Sequence, residues 1–501
     1  MNASDMLRAA PTELCQPWLR HLLAFADWRD MAACLPQEPS LALLALWADT
    51  QRVHALFHDE AAGEFIPASV KVEAGHYPAL SPYRPAAAWF ERMVHDLWGH
   101  KAVGSADGRP WLDHGRWPQT VPMALRPVPA NAAAEPPAFL PVEGCDIHTV
   151  PVGPVHAGII EPGHFHFSAQ GETVVRLEVR LGYAHKGTLV LMRGKSPRAA
   201  ARFAARLSGD STVAHSIAFA RAAEAAAGIE APARAVALRA AMAEMERVAN
   251  HLGDCGGIAN DASFAFLPAR FGLLRESVLA TAQAAFGHRL MMDVTVPGGV
   301  VADIDPAGPD AVPACLAQVE GELADLLRVY DDHASLADRM IGTGVVPPAL
   351  AHAFAAGGPV GRASGRGLDV RRTPGYAPYN ALAFSVPVLA EGDVDARLRL
   401  RIAEIGQSAA ILRAVLADLP GGPLSVQLPM VSGEGFGWAE GFRGDIWHWL
   451  RLDGGMIASA FMRDPSWMQW PLLEAAMAGN IVADFPLCNK SFNCSYSGVD
   501  L

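Results

Sequence analysis

Cysteine is scarce. Seven thiols are scattered over 501 residues, at Cys15, Cys34, Cys145, Cys255, Cys315, Cys488 and Cys494, and no two form a CxxC pair. Such spacing argues against a disulfide framework, predicts a reducing compartment and leaves no self-contained zinc or iron–sulfur motif. Basic runs are missing as well. The net charge is −12 and Lys and Arg do not cluster. Nucleic acid is therefore not expected as a partner, because phosphate binding needs a concentrated basic face. No apolar run reaches the roughly 18 residues that read as a membrane span. The N-terminal stretch MNASDMLRAAPTELCQPWLR carries Asp5 and Glu13 and lacks the basic-then-apolar order of a secretory signal.

The remainder is ordinary globular composition, 51% apolar and 18% charged, with length for roughly two to four domains. Composition divides the chain once. Residues 122–154 are rich in Ala and Pro (Pro122, Pro127, Pro129, Pro136, Pro137, Pro141, Pro151, Pro154), which no long helix tolerates. This predicts a domain over 1–121, a linker over 122–149 and a larger domain over 150–501. In PAAAWFERMVHDLWGH, Phe90, Met93, Val94, Leu97 and Trp98 share one helical face. The following GSADGRPWLDHGRWP reads as loop. Beyond the linker, Phe165 and Phe167, then Val175, Leu177, Val179 and Leu181, alternate with other residues around a Gly-containing turn, which predicts a β-hairpin. Leu238, Met242, Met245, Val248 and Leu252 recur at intervals of three and four. Further helical patterns cover about 269–290, 313–340 and 393–418. The expected class is α+β, a small α/β domain followed by a large, mainly helical one with a β edge.

Residues of chemical interest are few. GPVHAGIIEPGHFHF gathers His156, Glu161, His164 and His166. A metal site is one reading; a loop and strand with ordinary hydrogen bonds is the other, favoured because no HxxxH puts two imidazoles on one helix face. RLSGDSTVAHS holds Ser, Asp and His close together but is not a GxSxG elbow. Arg198, Arg202 and Arg206 read as a solvated stripe. Glu244, Glu246, Arg247 and Asp254 read as surface pairs along or just after an amphipathic helix. Trp438, Trp447, Trp449, Trp467 and Trp470 suggest aromatic burial or a subunit interface.

Taken together, several of these segments resemble one family. GPVHAGIIEPGHFHF with LGYAHKG, then EMERVANHLGDCGGIANDASF, ARFGLLRESVLATAQAAFGHRLMMDVTVPGGV, RMIGTGVV, LDVRRTPGYAPYNALAFSVPV, EGDVDARLRLRIAEIGQS, GWAEGFRGD and DFPLCNKSFNCSYSGVDL are similar, in that order, to group 4 [NiFe]-hydrogenase large subunits and to the 49 kDa-type quinone-site subunit of complex I. The similarity runs from about 150 to 501. Residues 1–121, through ERMVHDLWGH, resemble a shortened complex I 30 kDa-type subunit.

The departures matter as much as the match. In these hydrogenases two cysteine pairs hold the nickel, the first in an RxCGxC segment ahead of a His. Here that segment is Arg206-Leu207-Ser208-Gly209-Asp210-Ser211, with His215 behind it. Aligned on Ser491, Tyr496 and Asp500, the second pair falls at Ser495 and Gly498, with Cys494 one residue out of place. Hydroxyls and a glycine are poor substitutes for the soft, bridging thiolates of a nickel–iron centre. The chain ends at Leu501, without the tail whose cleavage follows nickel insertion in the relatives. Hydrogenase activity is not expected. The family's quinone-binding His matches His164, but its Tyr falls at Gly209.

The resemblance implies a cavity near Ser208, Gly209, Ser211, Ser495 and Gly498, with Glu161, His164, His215 and Arg443 as candidate catalytic residues and Asp254 retained beside them. It implies no metal or other cofactor bound by this chain, a [4Fe-4S] cluster on a small iron–sulfur partner of the complex I B type, possible quinone binding, and membrane partners of the antiporter-like and complex I H types. It also implies a peripheral position on the cytoplasmic side of the cell membrane. Two functions stay open: a complex I-like oxidoreductase component coupling electron transfer to ion movement, and a non-catalytic scaffold or conformational coupler in such a complex.

Overall fold

A computed structural model describes residues 2–130, 138–157 and 160–501. Near the N-terminus, strands β1 (Thr12–Cys15), β2 (Trp18–Leu23), β3 (Leu41–Ala48), β4 (Arg52–Asp59) and β5 (Glu64–Lys71) form a sheet in the order β1-β2-β5-β4-β3. The β2–β5 pair is parallel and the others antiparallel. Every residue of β3, LALLALWA, is buried, because the sheet is covered on both faces. Helices α1 (Ala3–Ala9), α2 (Phe25–Cys34) and α3 (Ala88–Trp98) supply part of that cover. In α3 the anticipated stripe is fully buried, and Gly99, at φ +77°, ends the helix by donating its N–H to the His95 carbonyl.

A second sheet covers the aromatic face of the first. Its strands β9 (Gly433–Gly441), β10 (Gly444–Asp453) and β11 (Met456–Arg463) form an antiparallel meander. Trp18 stacks on Trp438 at 5.0 Å, and Trp47 lies parallel to Phe461 at 5.3 Å. Gln16 and the β9 strand exchange backbone hydrogen bonds, Gln16 N–H to Glu434 O and Phe436 N–H to Gln16 O. Trp438, Trp447, Trp449 and Trp467 are thus interior residues joining the two ends of one chain, and Trp470 is buried against Phe165 and Tyr496. The other side of β9 is nearly bare. A Cβ at Gly433 or Gly437 would lie 2.3 Å or 2.1 Å from the carbonyl of Ala226 or Ala218. Those carbonyls belong to helix α4 (Thr212–Ala227), so glycine on the strand and alanine on the helix bring the two backbones together.

The anticipated hairpin is β7 (His164–Gln170) with β8 (Thr173–Arg180), turning at Gly171, φ +60°. Its alternation differs from expectation at one residue. A bulge beside Ser168 shifts the register, so Val174 is buried and Val175 is 42% exposed. Strand β6 (Ile147–Val152) adds an edge that the proline content masked; Pro151 sits where no ladder donor is required. Of the expected linker, 131–137 lie outside the described residues, and Ile147–Thr149 belong to β6.

The helical body consists mainly of α4, α5 (Ala233–Asp261), α6 (Phe266–Phe286), α7 (Gly308–Asp331) and α8 (Val394–Ala417). Two shorter helices, α9 (Ser466–Ala476) and α10 (Phe485–Phe492), follow β11. Helix α5 packs against α4, α6, α8 and α10. Its small residues all round (Ala237, Ala240, Ala241, Ala243, Ala249, Gly253, Gly256) let neighbours approach on every side. Glu244, Glu246, Arg247 and Asp254 are therefore buried, not the surface pairs the sequence suggested. They enter an internal ion network. Glu404 of α8 receives Arg247 at 2.6 Å, His251 at 3.0 Å and Arg362 at 2.7 Å, and Arg362 also meets Glu440 at 2.7 Å. Arg371 binds Glu244 at 3.0 Å and Asp369 at 2.7 Å. Among the described residues no helix is long and apolar enough to cross a membrane.

Candidate functional site

The segment entering α4 ends in a tight turn, Gly209–Ser211. The carboxylate of Glu246, on α5, accepts the backbone N–H groups of Val213 and Ala214 at 2.7 and 3.0 Å and so caps buried first-turn amides of α4 that have no partner within the helix. Burial pushes its pKa up to about 8 even though these two donors lower it. Asn250, one turn along α5, donates to the Asp210 carbonyl at 2.8 Å.

Arg443 approaches from the opposite side, at the tip of the β9–β10 hairpin. Its fork reaches Asp210 at 2.6 and 2.5 Å, Ser211 Oγ at 3.1 Å and Ser208 Oγ at 3.4 Å, and its Nε donates to the Asn493 carbonyl. Packing holds that tip: a Cβ on Gly358 would lie 1.9 Å from the Arg443 carbonyl. Burial opposes the Arg443 charge, but Asp210 more than offsets it and raises the pKa. Asn493, in the left-handed region at φ +51°, also donates its side-chain N–H to Asp254 at 2.6 Å; Asp254 pairs with Arg401 at 2.9 Å.

Beside this group, His215 lies between two buried partners. Its Nε2 is 3.0 Å from Asp464 Oδ2 and its Nδ1 is 3.0 Å from His448 Nε2. With Asp464 accepting from Nε2–H, His215 Nδ1 accepts from His448 Nε2–H, which leaves His448 Nδ1 as the buried nitrogen without a partner. Burial, then His215, hold His448 well below the usual imidazole range. Burial would raise Asp464, but His215, Arg443 and the Ser466 N–H bring it down to about 2.

The four positions aligned with the nickel ligands lie in this one place. Ser208 Oγ and Ser495 Oγ are 2.8 Å apart, and Gly498 N–H donates to Ser495 Oγ at 3.0 Å. A Cβ at Gly498 would be 2.7 Å from Asp464 Cγ and 2.9 Å from Ser495 Oγ. The donor set does not fit a nickel–iron centre. Hydroxyls bond each other across the gap, a guanidinium points between them, and the glycine position has no room for a thiol. Cys494 is buried 4.0 Å from Gln469 Oε1 and Cys488 is packed near Arg397; burial raises both thiols, the latter to about 11, so neither supplies a ready thiolate. Among the described residues no group of three His, Cys, Asp or Glu side chains could hold a metal ion. Gly209, by contrast, is exposed, and a Cβ there meets nothing within 4 Å.

The other candidates divide. Glu161 borders the cluster, accepting the Ser497 N–H at 2.9 Å, one residue from Gly498. His164 does not join it. Phe165 points inward to Phe485 and Trp470, so His164 faces the opposite way, near Phe139 and His166, with Nε2 buried and unpaired. Asp464, His448 and Asn493 escaped sequence reasoning; only proximity in space links them to His215 and Arg443.

The profile for the respiratory-chain NADH dehydrogenase 49 Kd subunit matches residues 271–432, and that for nickel-dependent hydrogenase matches 186–253. The N-terminal sheet lies outside both. Formate hydrogenlyase subunit 5 of Escherichia coli (strain K12) is 30% identical over 457 residues, covering 87% of this chain and 79% of that protein. The carbon monoxide-induced hydrogenase of Rhodospirillum rubrum is 31% identical over 69% of this chain and 97% of that protein. A chain of the membrane-bound sulfane sulfur reductase, an archaeal respiratory membrane complex, superposes with a TM-score of 0.67 at 26% identity, over 71% of this chain and 99% of its own length.

Proposed function

Because the chain belongs to the family that joins nickel-dependent hydrogenase large subunits to the 49 kDa-type subunit of complex I, we propose that it is the large subunit of a membrane-associated, complex I-like oxidoreductase working without a nickel–iron centre. The observation that carries this reading is the fate of the four ligand positions, now three hydroxyls and a glycine clustered with the Arg443 guanidinium and the Asp210 carboxylate. In the assembly, electron transfer is coupled to proton or ion movement. A small B-type partner with a [4Fe-4S] cluster docks over the Arg443 cluster, and a quinone-type acceptor approaches through the open space at Gly209. Antiporter-like and H-type proteins form the membrane part, and the chain lies peripherally on its cytoplasmic side. Residues 1–121 take the place of a 30 kDa-type subunit.

One observation favours a second reading, conformational coupling without chemistry in this chain. Asp254 and His251 are a turn apart on α5, as are Arg401 and Glu404 on α8, so the Arg443 cluster adjoins the internal ion network. Glu161→Gln separates the readings. Gln still accepts the Ser497 N–H but carries no exchangeable carboxyl proton. Quinone reduction by membranes supplied with NADH or reduced viologen is expected to fall by about a hundredfold, with assembly unchanged on native gels. Full turnover in an assembled variant complex would favour coupling.

A further inference from the structure

A cavity of about 870 Å³ opens well away from the Arg443 cluster. It lies where the β1–β2 turn meets the end of α4 and the start of α5. Its walls are mostly apolar or aromatic, including Pro17, Ile229, Val236, Leu382, Phe436 and Trp438. Its size falls within the ~300–1,000 Å³ of small-molecule sites.

Among the described residues, one cation on its wall has no counter-ion. The Arg221 guanidinium is stacked between Tyr376 and Trp438, 4.3 Å from each ring, and its Nη1 donates to the Trp438 carbonyl at 2.5 Å. Among the described residues no carboxylate lies within ion-pair distance, and no acceptor takes a hydrogen bond from Nε or Nη2. Neighbouring Glu224 is already satisfied, by Arg239 at 2.6 Å and the Gly298 N–H at 2.8 Å. Glu230 and Asp418 are exposed and remain solvated. Burial lowers Arg221 only to about 10, so it is charged at neutral pH. The two rings fix the guanidinium plane and leave its Nε–Nη2 edge free. That edge matches two oxygens of a carboxylate, sulfonate or phosphate.

We propose that this cavity binds an amphipathic organic anion, its acidic head on the free edge of Arg221 and its apolar body against Trp438, Phe436 and Leu382. Arg221 is only partly buried, and its unpaired Nε and Nη2 are open to the cavity, where an anion can reach them.

The test uses the assembled complex and the aromatic sulfonate 8-anilinonaphthalene-1-sulfonate. Fluorescence titration should show one saturable site per chain above a weak, non-saturating background. N-phenyl-1-naphthylamine, which lacks the sulfonate, should bind at least about tenfold more weakly, one missing charge-assisted pair. Arg221→Gln should abolish the difference between the two probes. Ala225→Trp, which fills the cavity and keeps the cation, should remove the saturable site, and it serves if Arg221→Gln fails to assemble. Equal affinity for the sulfonate in wild type and either variant, or no saturable site in wild type, would overturn the proposal.

Discussion

Glu404→Gln should destabilise the protein by about 3–5 kcal/mol, the cost of removing one partner from a buried ion pair. Glu404 is fully buried and takes Arg247, His251 and Arg362. Burial alone would raise its pKa, yet the two guanidiniums hold it well below the usual range. The Gln amide cannot neutralise two internal cations; Glu440 still answers Arg362, while Arg247 keeps only Glu244, at 3.5 Å. A group lowered in this way contributes stability above its unfolded pKa of 4.5 and loses it as pH falls through the folded value. The variant should therefore be weakened across neutral pH and lack that acid limb. Urea unfolding of the purified chain, or the yield of assembled complex, measures the effect. A loss below about 1 kcal/mol, the size of an exposed pair, would show that water reaches the network.

Gly498→Cys should also be strongly unfavourable, although it moves the sequence toward its hydrogenase relatives. The new Cβ would fall 2.7 Å from Asp464 Cγ. Overpacking costs about 1–3 kcal/mol, and moving Asp464 breaks its 3.0 Å contact with His215, leaving buried polar groups unpaired for roughly 1–3 kcal/mol more. His215 and Arg443 bring Asp464 down from 3.8 to about 2, so this contact stabilises above about pH 4 and fades as pH falls through that lower value. The variant should lose that dependence. Combining it with Ser208→Cys, Ser211→Cys and Ser495→Cys should yield no hydrogen evolution, because Arg443 and Asp210 still fill the space between the thiols. A quadruple variant that is as stable as wild type and evolves hydrogen would refute this account of the pocket.

Local periodicity made part of the fold legible. The α3 stripe, the β7–β8 hairpin and the long helices follow from apolar spacing and turn residues. Burial of charge was harder to read. Glu244 and Arg247 look like a surface pair because helix spacing alone does not reveal how many sides of a helix are covered. The relevant signal was the alanine and glycine around α5, which allows packing on all sides. The site was half legible. Motif alignment located Ser208, Ser211, Ser495 and Gly498, and the structure brings them together. No local pattern could connect His215 with Asp464, 249 residues away, or Arg443 with Asn493. His164 shows the opposite error: strand alternation puts its neighbour Phe165 inward, so His164 faces away from the cluster with which its motif was grouped.

The most direct test of the central claim is metal analysis of the intact complex, purified from its own cells grown with nickel. Three hydroxyls and a glycine stand at the ligand positions, and the Arg443 guanidinium reaches in beside them. Nickel should therefore be far below one atom per chain, iron should match the clusters of the partner proteins, and the infrared spectrum should lack bands from CO and CN ligands on iron. One nickel per chain, or those bands, would contradict the account.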